Sequence, residues 1–312
     1  MNLLEKKEFI KITKNNIFNM YDNNFNKKYV RKYTIDYYLN LMFELINDIN
    51  NWYSLSKLNF YKPLQKKDNT LPIFHWKTIQ NLYNKWANDG IFKKGFEDYI
   101  NKKTIKTDNI DLFIDTSFIN NKYGIEEIAM NTDNKKKKST KISLISDDNK
   151  FIYSISYVYI NTKSKRKYKR RRKLNKKRRT NKKNNQKKVN KVKTKGFIHD
   201  VNTIKTSINS INKSYNFLIN LIGDKGYITK KQHCFKRKKI ILITSKRKNK
   251  HSQVINIKLF KRKIIENSIA CIKKNERIMT RKDHKIKNYM SWVYISCLMH
   301  NIKINNKEKK IN

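Results

Sequence analysis

Proline occurs twice, glycine six times and cysteine three times in 312 residues. Lysine, asparagine and isoleucine fill the space, the bias of an AT-rich coding sequence, so no single lysine carries weight by itself. The cysteines, Cys234, Cys271 and Cys297, lie far apart without a CxxC pair, which excludes a zinc ribbon and fits reduced thiols. His233 beside Cys234 has the wrong spacing for a chelating pair. No stretch approaches the roughly 18 apolar residues of a membrane span. The opening MNLLEKKEFIKITKNN has no apolar signal-peptide core. The expectation is an intracellular protein, of a cell or a virus, with no membrane partner.

Negative charge is the other deficit: 24 Asp and Glu stand against 74 Lys and Arg, a formal net charge of +50. Such a surplus repels itself unless a polyanion neutralises it, and nucleic acid is the commonest one. The charge is spread along the whole chain rather than along one basic amphipathic helix, which argues against a membrane surface. Apolar residues make up 38% and aromatic residues 12%, enough for a packed core.

Residues 1–105 carry helical spacing, clearest in YYLNLMFELINDINNWY and WKTIQNLYNKWANDGIF. In the second, Trp76, Ile79, Tyr83 and Trp86 share a face and Gly90 follows as a C-cap. Two such helices joined through Pro63 to Pro72 fit a helix-turn-helix, and equally an ordinary bundle with an aromatic core. From residue 110 the period changes. DLFID (111–115), KISLIS (141–146) and FIYSISYVY (151–159) have strand composition, the last two paired as a hairpin across a DDNK turn. Residues 161–195 hold twenty Lys or Arg and no acid, a solvated loop that orders only on a polyanion. A helix with Ile204, Ile208 and Ile211 in register, the strands FLINLI and IILIT, a helix from about Lys261 and a closing amphipathic helix bearing Tyr289, Trp292, Val293 and Met299 complete the chain. That order describes an α/β protein with a mixed sheet and helices packed on it.

Between Asn149 and Asn275 only Asp200, Asp224 and Glu266 are acidic, where the chain-wide frequency leads one to expect about ten. Asp224 ends an apolar strand, and Asp115 ends DLFID. If those strands are neighbours, both carboxylates project from one sheet edge and need a cation between them. Mg²⁺, or Mn²⁺, suits such oxygen ligands beside phosphate. Glu266 supplies a third ligand, with Arg262 and Lys273 at i−4 and i+7 on the same helical stripe. Each feature alone has a structural explanation: a strand-end turn for the aspartates, an exposed i,i+4 pair for Arg262 and Glu266.

The segments DLFIDTSFI, STKIS, FIHDVN, LIGDKGYIT and KRKIIENSIACIKKNERIMTRKD, in this order from Asp111 to His300, resemble the catalytic core of insertion-sequence DDE transposases, the branch with a Y-x2-R-x3-E-x6-K signature. WKTIQNLYNKWANDGIF is similar to the N-terminal helical segment of that branch. The resemblance implies a ribonuclease H-like mixed sheet flanked by helices (106–312, with the basic insertion at 161–195). It also implies an all-helical domain over 1–105 that recognises DNA ends. The activity it implies is metal-dependent cut-and-paste transposition. Asp115, Asp224 and Glu266 match the acidic triad and Arg262 and Lys273 the basic members. Leu259 stands where the signature has tyrosine, and the basic run enlarges the loop before His199 and Asp200.

The resulting expectation is a pair of Mg²⁺ or Mn²⁺ ions roughly 4 Å apart on the three acids. Arg262, Lys273, Lys225, Arg170, Arg171 and Arg172 are the DNA contacts, holding phosphates rather than bases. The partner is double-stranded DNA, as transposon end and target, and paired-end chemistry suggests a homodimer on it. The rivals are a ribonuclease H-like nuclease or resolvase and a non-catalytic architectural DNA-binding protein. The architectural reading leaves the placement of the rare acids unexplained.

Overall fold

The computed structural model of the chain describes residues 3–21, 34–47, 52–57, 76–103, 109–131, 137–160, 200–209, 211, 218–228, 239–244 and 261–311. The Pro63 to Pro72 turn, the basic run with Arg170, Arg171 and Arg172, His199, His233, Cys234 and Leu259 lie outside them.

The N-terminal part is helical wherever it is described. It comprises α1 (Leu3–Met20), α2 (Ile35–Asn47), a short 3-10 helix (Trp52–Lys57), α3 (Trp76–Asn88) and α4 (Ile91–Asn101). In α3 the buried residues Ile79, Tyr83 and Trp86 recur at helical spacing, so one stripe meets the core. Gly90, at the joint with α4, takes a left-handed conformation with φ 78°, which glycine adopts without a steric penalty.

The sheet follows. Its strands are β1 (Asn109–Asn121), β2 (Ala129–Met130), β3 (Lys138–Asp147) and β4 (Ile152–Tyr157), then β5 (Leu218–Gly223) and β6 (Ile240–Thr244) after helix α5 (Asp200–Asn209). Helix α6 (Lys263–Lys273), α7 (Glu276–Met279), β7 (Thr280–Arg281) and α8 (Ile286–Ile311) complete it. The β3–β4 hairpin forms at the expected place. Asp147 closes it, its carbonyl accepting from Lys150 N at 3.1 Å and its Oδ1 from Phe151 N at 2.8 Å.

The five long strands lie in the order β4-β3-β1-β5-β6. β3 is antiparallel to both neighbours, whereas β5 is parallel to β1 and β6 to β5. β3 therefore runs against the other four. The parallel pairing of β5 with β1 needs a crossover, and α5 lies within it.

Alternation along β1 separates two faces. Ser207 of α5 donates to Ser143 at 2.9 Å, and Ser143 stands opposite Thr116, so α5 covers the face of Thr116. Ser268 of α6 donates to Ser146 at 3.4 Å, and Ser146 stands opposite Phe113, so α6 covers the face of Phe113 and Asp115. Helix α8 buries Tyr289, Trp292, Val293 and Met299 as its pattern predicts. Tyr83 of α3 stacks on Trp292, centroids 4.2 Å apart, a contact worth about 0.5–1.5 kcal/mol beyond its buried area. One hydrophobic core thus runs through the N-terminal helices and the sheet. Among the described residues no helix is long and apolar enough to cross a membrane.

Candidate active site

Asp115 does not end its strand: β1 continues six residues further, to Asn121. What ends near Asp115 is the ladder with β5, whose last paired residue on β1 is Phe113. The local apolar run stops at Asp115, but pairing with β3 carries the backbone on through Asn120. Asp115 thus lies just past the point where β5 leaves the sheet. Its Oδ1 accepts from Thr116 N at 2.8 Å, and its Oδ2 has no hydrogen-bond partner among the described residues. Burial lifts its carboxyl from 3.8 to about 6. The Thr116 N–H and the Arg262 charge pull the other way, while Asp224 and Glu266 push it up further.

Asp224 is the first residue after β5, and its Oδ1 caps the 3-10 turn Lys225–Tyr227 by accepting from Gly226 N at 2.7 Å. Two residues on, Gly226 lets the carboxylates approach the backbone closely. A Cβ at 226 would sit 2.9 Å from Asp224 Oδ1 and 3.3 Å from Asp200 Oδ2. The same contacts bring Asp200, at the start of α5, beside Asp224. Asp200 Oδ1 accepts from Lys141 Nζ at 2.5 Å and from Thr116 Oγ1 at 3.1 Å. Tyr227 is fully buried between these groups. Desolvation first, then the charges of Asp200, Asp115 and Asp224, raise its phenol above the ordinary range. Its hydroxyl lies near Thr116 without a well-formed hydrogen bond.

From the other face comes α6. Arg262, immediately before the helix, donates through Nη2 to Glu266 Oε1 at 2.9 Å and places Nη1 3.9 Å from Asp224 Oδ2. Asp224 and Glu266 therefore flank one guanidinium, whose charge also reaches Asp115. Among the described residues no three acids, histidines or cysteines converge closely enough to hold a common metal ion as they stand. The donor set nevertheless fits a hard divalent ion: carboxylate oxygens only, with one Asp115 oxygen unengaged. A cation already sits among them, and it is the guanidinium.

The basic residues divide. Lys273 turns inward, its ammonium donating to Ser117 Oγ at 2.6 Å and to the Phe118 carbonyl at 2.8 Å, and burial lowers its pKa. Lys225 is exposed beside Asp224. Arg170, Arg171 and Arg172 fall outside the described residues. Sequence reasoning missed Lys141, Thr116 and Tyr227. Tyr227 belonged to the DKGY stretch, which could have flagged it, but Lys141 is one of 74 basic residues and had no signal.

No protein-family model matches the chain, and no curated protein matches it. One solved structure, a piggyBac transposase synaptic complex with hairpin DNA, aligns at 10% identity over 96% of this chain and 65% of that one, with a TM-score of 0.40. The chain thus spans just under two thirds of that transposase chain, and a TM-score of this size does not establish a shared fold.

Proposed function

We propose that the chain is a DDE-type DNA transposase of the insertion-sequence kind, in which Asp115, Asp224 and Glu266 hold divalent magnesium or manganese at the rim of a ribonuclease H-like sheet. The observation that carries this reading is that Arg262 joins Asp224 to Glu266 beyond the β1–β5 ladder, where Asp115, just past the same ladder on β1, has a carboxyl responsive to all three charges. The strand order supports the fold, since β3 alone runs against four mutually parallel neighbours. Ligand sites in sheets of this kind lie beyond the carboxyl ends of parallel strands, where Asp224 stands.

Bound there, divalent ions supply an activated water or 3′-hydroxyl and neutralise the leaving oxygen of a phosphodiester. The chain's own part is positional. Thr116 N and Gly226 N each fix one carboxylate oxygen, of Asp115 and Asp224, and leave the second for a ligand. With its carboxyl near 6, Asp115 is ionised at neutral pH. Lys225 and the basic run at 161–195 hold duplex phosphates without reading bases. A homodimer on two DNA ends is the assembly this chemistry calls for.

The test is Asp224→Asn, assayed on duplex DNA carrying the sequence that flanks the gene. Divalent-dependent strand cleavage should fall by more than about a hundredfold, beyond what loss of an outer-shell partner costs. Binding to the same duplex should hold or improve, because a negative charge is removed. Cleavage that survives the substitution refutes the assignment. Joined strand-transfer products separate a transposase from a nuclease of the same architecture.

A further inference from the structure

The structure holds three cations near the sheet edge, two against acids and one against neutral oxygens. Lys141 is buried and grips Asp200 at 2.5 Å on the α5 face. Lys273 is turned into β1. Arg262 alone stands among the carboxylates assigned to metal, and its setting is weak. It precedes the first turn of α6, where the helix dipole disfavours a cation. Its partner Glu266 is four residues C-terminal, the less favourable orientation of an i,i+4 pair. Its second arm reaches Asp224 only at 3.9 Å. This one guanidinium is shared between Glu266 and Asp224, while the nearby Asp115 carboxyl is largely desolvated.

We infer that Arg262 is an exchangeable cation of this site: in the metal-free chain its guanidinium stands where a divalent ion would bind, and metal entry releases it to a DNA phosphate. This inference rests on the function proposed above. A divalent ion carries twice the charge and draws carboxylate oxygens closer than a guanidinium can. It displaces the bridge on both counts. The freed guanidinium then stands beside the metal on an exposed surface, with a fork suited to phosphate oxygens. Metal and DNA backbone thereby reinforce one another, and the coupling must be reciprocal. Arg262 is a positioning residue in the metal-free chain and a phosphate contact only in the loaded one.

Two measurements on the full chain test this. In Mn²⁺ titration calorimetry without DNA, Arg262→Gln should bind the ion several-fold more tightly than wild type, because nothing need be displaced. Lys263→Gln removes the same charge one residue away, from an exposed side chain outside the bridge, and should gain clearly less. Arg262→Lys keeps the charge without the two-armed fork and should fall between wild type and Arg262→Gln. The second readout is the salt dependence of binding to a duplex of arbitrary sequence. With saturating Mn²⁺, wild type should exceed Arg262→Gln by one engaged phosphate, a log–log slope difference of about 0.9. Without metal the two slopes should coincide. Equal Mn²⁺ affinity for wild type and Arg262→Gln, an equal gain for Lys263→Gln, or a slope difference that persists without metal overturns the exchange while leaving the transposase reading intact. A wild-type chain that binds no Mn²⁺ overturns both.

Discussion

Two guanidinium–carboxylate clusters lie along the same strand, one beside its middle at Asp115 and one by its last residues, and they differ in what surrounds them. Around Arg262 the side chains are open to water, 35% exposed for the arginine and 49% for Glu266. Around Arg277 they are sealed: Arg277 and Asp283, 3.8 Å apart, are 3% and 9% exposed. The Arg277 guanidinium packs against the rings of both Trp52 and Trp292, at 5.0 and 4.7 Å from their centroids. Next to it Arg281 is fully buried, donating to the Glu126 carbonyl, Thr140 Oγ1 and the carbonyls of Asp283 and His284. Burial drives the Asp283 carboxyl upward, against the pull of Arg277 and Arg281. A shifted carboxyl is therefore no mark of function here. Both clusters have one, and each leaves a carboxylate oxygen without a hydrogen bond, Asp115 Oδ2 at the rim and Asp283 Oδ2 in the interior, but only the rim cluster is open to solvent. The buried cluster joins the N-terminal helical part, through Trp52, to α7, β7 and α8.

That contrast breaks most visibly under truncation. Arg277→Leu takes from the buried Asp283 its ion-pair partner, leaving only the charge of Arg281 beside it, and should cost about 3–5 kcal/mol in chemical denaturation. Arg262→Gln, at a pair bathed in water, should change stability by less than about 1 kcal/mol. Equal losses would mean that the two clusters are the same kind of structure.

Next in size is the response to acid. Asp115 ligates only as a carboxylate, so Mn²⁺ affinity should fall by up to about tenfold per pH unit below 6. For stability the sign is opposite. The folded value, about 6, lies above the ordinary 3.8, so protonated Asp115 favours the fold below 3.8, and that contribution is lost as pH rises through 6. Asp115→Asn should therefore melt higher than wild type at pH 7, with the gap closing towards pH 4. The smallest effect belongs to Lys261, paired with Asp148 at 2.9 Å on the exposed surface. Lys261→Ala should leave the melting temperature and Mn²⁺ affinity unmoved, and a shift in either would blur the line between rim and surface pairs.

Much of the fold was legible residue by residue. The helical stripe of α3, the β3–β4 hairpin and the buried face of α8 follow from local periodicity, because side-chain direction repeats with the backbone. The extent of β1 was not legible: DLFID is apolar, while TSFINN continues the strand only because β3 pairs with it. The rim was legible in part. Asp224 and Glu266 stood out through the scarcity of acid around them, and Arg262 through its spacing from Glu266. Lys141 and Thr116 did not, since a lysine in this composition is unremarked until a partner is within reach.

By itself the sequence determined the kinds of element, the cationic surface and which few acids needed an explanation, all properties of neighbours along the chain. The tertiary structure alone decided that Asp115 and Asp224 lie together, through a parallel register joining residues about a hundred positions apart. It also decided that Arg262 stands between Asp224 and Glu266 whereas Arg277 is sealed beneath tryptophan. Burial and distance between remote residues set the strength of each charge, and neither is written in the order of the residues.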